Sequence, residues 1–166
     1  MSVFDRITGA CAALSAAAFV AAGAMLTYEV VARYFFTAPT IWAAELSQLC
    51  LIWGSLLAMP WALAARRHIA VDAVVGLLPG SARRVTEAIA MAVVAAFAAV
   101  AAWYGWAIFA DSFSRGRTTG SMLDLPSWIA ELAVPLGFGL LVVQALIELV
   151  RALRAEAPPP ATGLHE

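Results

Sequence analysis

The chain has 166 residues, of which 63% are hydrophobic and only 13% are charged, and its mean hydropathy is +0.87. Soluble domains are roughly half apolar and one quarter charged, and a chain this short has too much surface to hide the excess apolar area from water. The net charge is −1, and the ten basic residues form no basic block. Composition and charge therefore argue against a soluble enzyme and a nucleic-acid-binding protein, and indicate one compact membrane domain.

Charged residues divide the sequence into four apolar runs. Each run is long enough for a helix to cross the hydrocarbon core, which takes about 20 residues. Helix is the favoured structure because lipid offers no partners to backbone polar groups, and the sequence lacks the alternating segments of about 10 residues that are typical of a β-barrel. We therefore predict an all-α membrane protein whose four transmembrane helices cover residues 7–34, 43–65, 84–113 and 126–153.

A shorter apolar segment, residues 69–78, separates the second and third predicted spans. Its valines fall on one face of a helix and Asp72 falls on the other. This pattern predicts a short amphipathic helix in the cytoplasmic membrane interface, and an apolar loop is the alternative. The four-helix membrane domain is predicted over residues 1–153. Residues 154–166 include three consecutive prolines and are predicted to form a disordered cytoplasmic tail.

The distribution of arginine predicts the orientation. With four spans, the side that holds both termini and the second connection carries Arg6, Arg66, Arg67, Arg83, Arg84, Arg151 and Arg154. The opposite side carries Arg33, Arg115 and Arg117. Because basic residues are enriched in cytoplasmic loops, both termini are predicted to be cytoplasmic. Most aromatic residues near helix ends fall toward the other side, as expected of an interfacial belt.

Charged residues inside a span are the first candidates for function. Glu29 and Arg33 are spaced i, i+4 near the outer end of the first span, in the favourable order for a helical pair. Glu45 lies in the first turn of the second span, where the helix dipole favours a carboxylate. The connection between the first and second spans is short, so Arg33 is expected to reach Glu45 as well as Glu29. Trp42 is expected to anchor this hairpin at headgroup depth. We interpret these charges as an electrostatic lock on the first hairpin, with a substrate or proton site as the alternative.

Other polar and small residues in the spans are interpreted as structural. Glu131 and Glu148 in the last span are each within reach of an interface by tilt, so they are expected to snorkel. Gly54 belongs to a stripe of small residues on the second span that lets helices approach closely. Both histidines fall outside the spans, which argues against haem, and the sequence has no metal-ligand cluster, phosphate loop or nucleophile triad. No catalytic, cofactor-binding or metal-binding residue is predicted.

A series of short motifs follows one order along residues 10–153. The motifs are Arg33-Tyr34-Phe35-Phe36, Trp42-Ala43-Ala44-Glu45-Leu46, Trp53 and Arg67-His68-Ile69-Ala70-Val71-Asp72, then Thr118-Thr119-Gly120, Leu125-Pro126-Ser127-Trp128 and Pro135-Leu136-Gly137-Phe138. Together with the length and the four spans, they resemble the small membrane subunit of TRAP transporters, the DctQ family. One position departs from that pattern: the family often has two adjacent acids after the Trp, and here Ala44 occupies the first.

The resemblance implies a sodium-driven, binding-protein-dependent transporter of small organic anions, such as carboxylates or sugar acids, in the bacterial inner membrane. A periplasmic substrate-binding protein would deliver the anion to a large elevator-type permease subunit. The small subunit would pack against that permease and support it, without a substrate, sodium or cofactor site of its own. The candidates for structural or subunit-interface roles are Arg33, Trp42, Glu45, Glu29, Gly54 and Asp72.

Two other classes of function remain as alternatives. An independent small multidrug-type transporter with four helices needs a carboxylate near the bilayer centre, whereas Glu29 is predicted near the outer end. A quinone-linked thiol oxidant needs an outward-facing pair of cysteines, whereas Cys11 and Cys50 are predicted at different depths.

Overall fold

The computed structural model describes residues 3–65, 80–121 and 123–154. Its helices are α1 (Val3–Phe36), α2 (Trp42–Ala64), α3 (Gly80–Arg115) and α4 (Trp128–Leu153). All four are long and apolar enough to cross a membrane. This confirms the predicted all-α fold with four helices apolar enough to span a membrane, and the predicted bounds differ from the observed ones by about one helical turn or less.

Two predictions concern segments outside the described residues. The amphipathic interfacial helix over residues 69–78, with Asp72, lies in one such segment. The disordered tail over residues 154–166 lies in another, apart from Arg154, which caps the end of α4. Both stay predictions.

The four helices pack in the spatial order α1, α2, α4, α3. Helices α1 and α2 form one hairpin, α3 and α4 form the other, and contacts between α2 and α4 join the two. In the most apolar stretch of α2 and of α4, 28% of the residues are buried within the chain, against 11% in α1 and in α3. The outer helices of the row therefore leave most of their apolar surface to lipid or to another membrane protein.

Two long-range contacts mark the two ends of the helix bundle, one at each end of the helices. At the start of α2, Glu45 Oε1 accepts a hydrogen bond from the Leu123 backbone N–H at 3.3 Å. We call this the hairpin end, since it holds the turn at residues 37–41 and the loop at residues 116–127. At the opposite end, which we call the termini end, Arg151 lies 3.8 Å from Asp5 in an ion pair between α4 and α1.

Glycines mark the closest approaches between helices. A Cβ added at Gly137 on α4 would lie 2.7 Å from the Cβ of Leu56 on α2. On α3, a Cβ at Gly105 would lie 2.7 Å from a methyl group of Val134 on α4. Gly54 on α2 is buried, and a Cβ there would lie 3.4 Å from the ring of Phe19 on α1. Small residues thus bring the helices together where lipid supplies no hydrophobic driving force for association.

The loop at residues 116–127 has its own hydrogen bonds. The Thr119 N–H donates to the Leu125 carbonyl at 2.9 Å, across an extended segment that turns back on itself. Gly116 and Gly120 adopt φ values of +60° and +63°, which glycine reaches without the steric penalty of a side chain. The loop continues to residue 127, so α4 begins at Trp128, two residues after the predicted start of the span at residue 126.

Candidate functional site

Glu29 links the end of α1 to the residue that precedes the N-cap of α2. It is a buried carboxylate, with only 6% of the residue exposed. Its Oε1 accepts hydrogen bonds from Arg33 Nη2 at 2.5 Å and from Arg33 Nε at 3.1 Å. Its Oε2 accepts from the Thr40 backbone N–H at 2.8 Å and from the Thr40 hydroxyl. Both carboxylate oxygens are therefore engaged in holding the first hairpin closed.

The predicted pair between Glu29 and Arg33 is present, and the Arg33 side chain is 58% exposed. Arg33 was also expected to reach Glu45, but the structure differs. Arg33 is held one helical turn away by Glu29, while Glu45 bonds to the backbone of Leu123. A pair within one helix needs no rearrangement of the backbone, so Arg33 takes the nearer acid.

Glu45 is the acidic residue of the first turn of α2, and it faces the loop between α3 and α4. Its Oε1 accepts the bond from Leu123, whereas its Oε2 is buried and has no hydrogen-bond partner among the described residues. Glu45 lines a cleft of about 370 Å³ between α2, the loop and the start of α4. The other residues that line the cleft are Gln48, Leu49, Ile52, Thr119, Ser121, Leu125, Pro126 and Ala130.

Tryptophans tie α2 to both of its neighbours. Trp42 stacks on Tyr28 of α1, with ring centroids 5.9 Å apart and ring planes at 25°. Trp53 donates from its indole N–H to the Ile129 carbonyl in the first turn of α4, at 3.1 Å. Trp53 is one of the motifs that the sequence shares with the DctQ family, but no role was predicted for it. The signal was its single donor within an apolar span, since a buried indole N–H usually finds an acceptor.

A second polar cluster lies near the termini end, and there the sequence interpretation was wrong. Glu148 was expected to snorkel to the interface, but it is 1% exposed, because α4 turns it toward the other helices. Its Oε1 accepts from Gln144 Nε2 at 3.1 Å and from Arg151 Nη1 at 2.7 Å. The spacing of Gln144, Glu148 and Arg151 puts all three on one face of α4, which was the missed signal. Glu131 is half-buried in the first turn of α4.

The contacts described above join the helices of the chain to one another. Within residues 3–65, 80–121 and 123–154, no three side chains of His, Cys, Asp or Glu are grouped so that they could hold a metal ion. Cys11 and Cys50 are free thiols on different helices. Two features of the described residues are the candidates for function. One is the Glu29 carboxylate with its bonds to Arg33 and Thr40, and the other is the cleft lined by Glu45.

Comparisons with known proteins identify the family. Residues 22–155 match the family described as "Tripartite ATP-independent periplasmic transporters, DctQ component". The chain is 27% identical to the isethionate TRAP transporter permease protein DctMQ of Oleidesulfovibrio alaskensis over 136 residues, which cover 78% of this chain and 21% of that protein. It is 23% identical to the sialic acid TRAP transporter permease protein SiaT of Haemophilus influenzae, over 87% of this chain and 22% of that protein.

A third relative is the C4-dicarboxylate TRAP transporter small permease protein DctQ of Rhodobacter capsulatus, 26% identical over 64% of this chain and 46% of that protein. The chain thus spans about a fifth of the length of the first two relatives and less than half of the third. All three are transporter permeases, which confirms the expectation that the chain is not an enzyme. With most of its length matched and four helices able to span a membrane, the chain belongs to the DctQ family of TRAP transporter components.

Proposed function

We propose that the chain is the small permease subunit of a sodium-driven TRAP transporter for small organic anions, and that it packs against and supports a large elevator-type permease subunit. The observation that carries the proposal is the family match over residues 22–155. The names of the relatives include the small permease DctQ and substrates that are all organic anions: isethionate, sialic acid and C4-dicarboxylates.

The exposed apolar surface supports a supporting role. The helices form a row in which α1 and α3 are the outer members, and large apolar side chains remain exposed along both. On α3, for example, Phe97 and Trp103 are 67% and 76% exposed. In the first two relatives the matching segment is about a fifth of a much longer permease, so a large membrane partner for this chain is a natural extension.

The placement of the charges favours this proposal over an independent multidrug-type transporter. Such a transporter needs an ionisable residue available near the bilayer centre. Among the described residues, Glu29 and Glu45 belong to the hairpin end, and Glu148 is bonded to Gln144 and Arg151 near the termini end. These positions suit a scaffold whose polar groups hold helices together.

The orientation proposed for the subunit places both termini in the cytoplasm of a bacterium, beneath its inner membrane. The contact between Asp5 and Arg151 supports a common side for the start of α1 and the end of α4. The arginine-rich termini end would then face the cytoplasm, in line with the enrichment of basic residues on that side. The hairpin end, with Trp42 and Tyr28, would face the periplasm, where a substrate-binding protein would deliver the anion.

Reconstitution tests the proposal. The chain would be placed in liposomes alone, with its large TRAP permease, and with that permease and the substrate-binding protein. Uptake of isethionate, sialic acid and a C4-dicarboxylate would be measured with and without an inward sodium gradient. We expect sodium-dependent uptake of one anion class only when all three proteins are present. Uptake by this chain alone would refute the supporting role.

A further inference from the structure

The cleft beside Glu45 holds a carboxylate oxygen without a donor. Glu45 Oε1 is fixed by a bond of 3.3 Å from the Leu123 N–H, while Oε2 is buried and unpartnered among the described residues. Desolvating one side of a carboxylate is unfavourable unless a donor or a cation replaces the lost water. The described part of the chain therefore leaves Glu45 Oε2 without a hydrogen-bond donor or a cation.

The arginines at the hairpin end are held by other acids. Arg33 binds Glu29, with its Nη2 2.5 Å from Oε1. Arg115 and Arg117 each lie 2.6 Å from the same carboxylate, that of Asp111 on α3. Since these arginines are paired with other acids, a cation that binds Glu45 would come from outside the chain.

The lining of the cleft indicates what kind of cation fits. Leu49, Ile52 and Pro126 contribute apolar surface of the sort that covers the methylene groups of a long side chain. Thr119 and Ser121 place hydroxyl groups 2.6 Å apart beside the acid, and these can accept further N–H groups. An apolar stem ending in a planar group with several donors is the description of arginine.

We propose that this cleft receives a basic side chain, best matched by arginine, from the large permease subunit. The proposal rests on the proposed function and deepens it, because it assigns one anchoring contact of the subunit interface to Glu45 and the loop at residues 116–127. The contact would pair Glu45 Oε2 with the incoming cation while Leu123 continues to hold Oε1.

The test compares two variants that each remove one negative charge at the hairpin end. Glu45→Gln keeps the shape of the side chain and an oxygen for Leu123. Asp124→Asn is the control, because Asp124 is exposed, directly follows Leu123, whose N–H bonds to Glu45, and has a φ of +49°, which asparagine tolerates. Binding of each purified variant to the large subunit is titrated in lipid nanodiscs, and circular dichroism verifies that each variant is folded.

We expect Glu45→Gln to weaken binding by about tenfold or more and Asp124→Asn to leave it within about twofold, since loss of one member of a desolvated charge pair strands the other. A charge swap between Glu45→Arg and an Arg→Glu change at the matching site of the large subunit should restore binding. Equal binding of wild type and Glu45→Gln would overturn the proposal. So would a wild-type advantage that requires sodium, or one that requires an aminophospholipid in the nanodisc. Failure of the wild-type chain to bind the large subunit at all would instead refute the proposed function.

Discussion

Replacing Gly137 with alanine tests how tightly α2 and α4 are joined. The new Cβ would lie 2.7 Å from Leu56 Cβ, 3.1 Å from Leu56 O and 3.2 Å from Leu56 C. Carbon atoms prefer separations of about 3.5–4.0 Å, so the helices would have to move apart by nearly 1 Å. Overpacking of this kind costs about 1–3 kcal/mol, whereas alanine gains about 0.5–1 kcal/mol over glycine within a helix. We expect Gly137→Ala to lower the free energy of unfolding by about 1–2 kcal/mol on balance.

Gly139→Ala is the matched control for this prediction. It lies on the same helix, and a Cβ there would meet nothing within 4 Å, so only the gain in helix propensity remains. Both variants would be unfolded by titrating sodium dodecyl sulfate into mixed micelles, with circular dichroism as the measurement. We expect Leu56→Ala not to rescue Gly137→Ala, because the blocking atoms are the Cβ and backbone that alanine retains. Equal unfolding midpoints for Gly137→Ala and Gly139→Ala would refute the close approach of the two helices.

Three further predictions follow from the charges. A reporter active only in the periplasm should be active when fused after Gly120 and inactive after Arg154, and the reverse would invert the proposed orientation. Arg33→Ala and Glu45→Ala should lower uptake by reducing recovery of the complex, while the substrate concentration for half-saturation stays the same; a large shift with a normal complex would place these residues on a substrate path. Glu148→Ala should lower the free energy of unfolding by about 2–4 kcal/mol, because it leaves the fully buried Gln144 amide without its acceptor, and an unchanged unfolding midpoint would contradict that role.

The sequence predicted the helices well and their mutual contacts poorly, for a physical reason. Length and apolarity decide whether a segment can span a bilayer, and both are local properties of the sequence. The pair of Glu29 and Arg33 is equally local, since it depends on a spacing of four residues within one helix. The partner of Glu45 is 78 residues away in the chain, and the acceptor for Trp53 is 76 residues away. Such contacts depend on the order α1, α2, α4, α3, which periodicity does not reveal.

The inward position of Glu148 was also missed from the sequence. A glutamate near the end of a span is able either to snorkel outward or to turn into the bundle, and composition does not distinguish the two. The presence of Gln144 one turn earlier and Arg151 one turn later on the same face favours the inward position, because each offers a donor to the buried carboxylate. The polar face of α4 was therefore visible in the sequence, but only as a set of three residues.

Polar contacts join α1, α2 and α4 to one another. Glu29 bonds to Thr40 between α1 and α2, Trp53 bonds to Ile129 between α2 and α4, and Arg151 pairs with Asp5 between α4 and α1. In lipid, helices gain little from burying apolar surface against each other, so close packing and hydrogen bonds hold them together. Outside these contacts, large apolar side chains remain exposed along α1 and α3. The proposed supporting role fits this combination, because a surface that meets lipid or another membrane protein is mostly apolar, while polar contacts between helices fix the internal geometry.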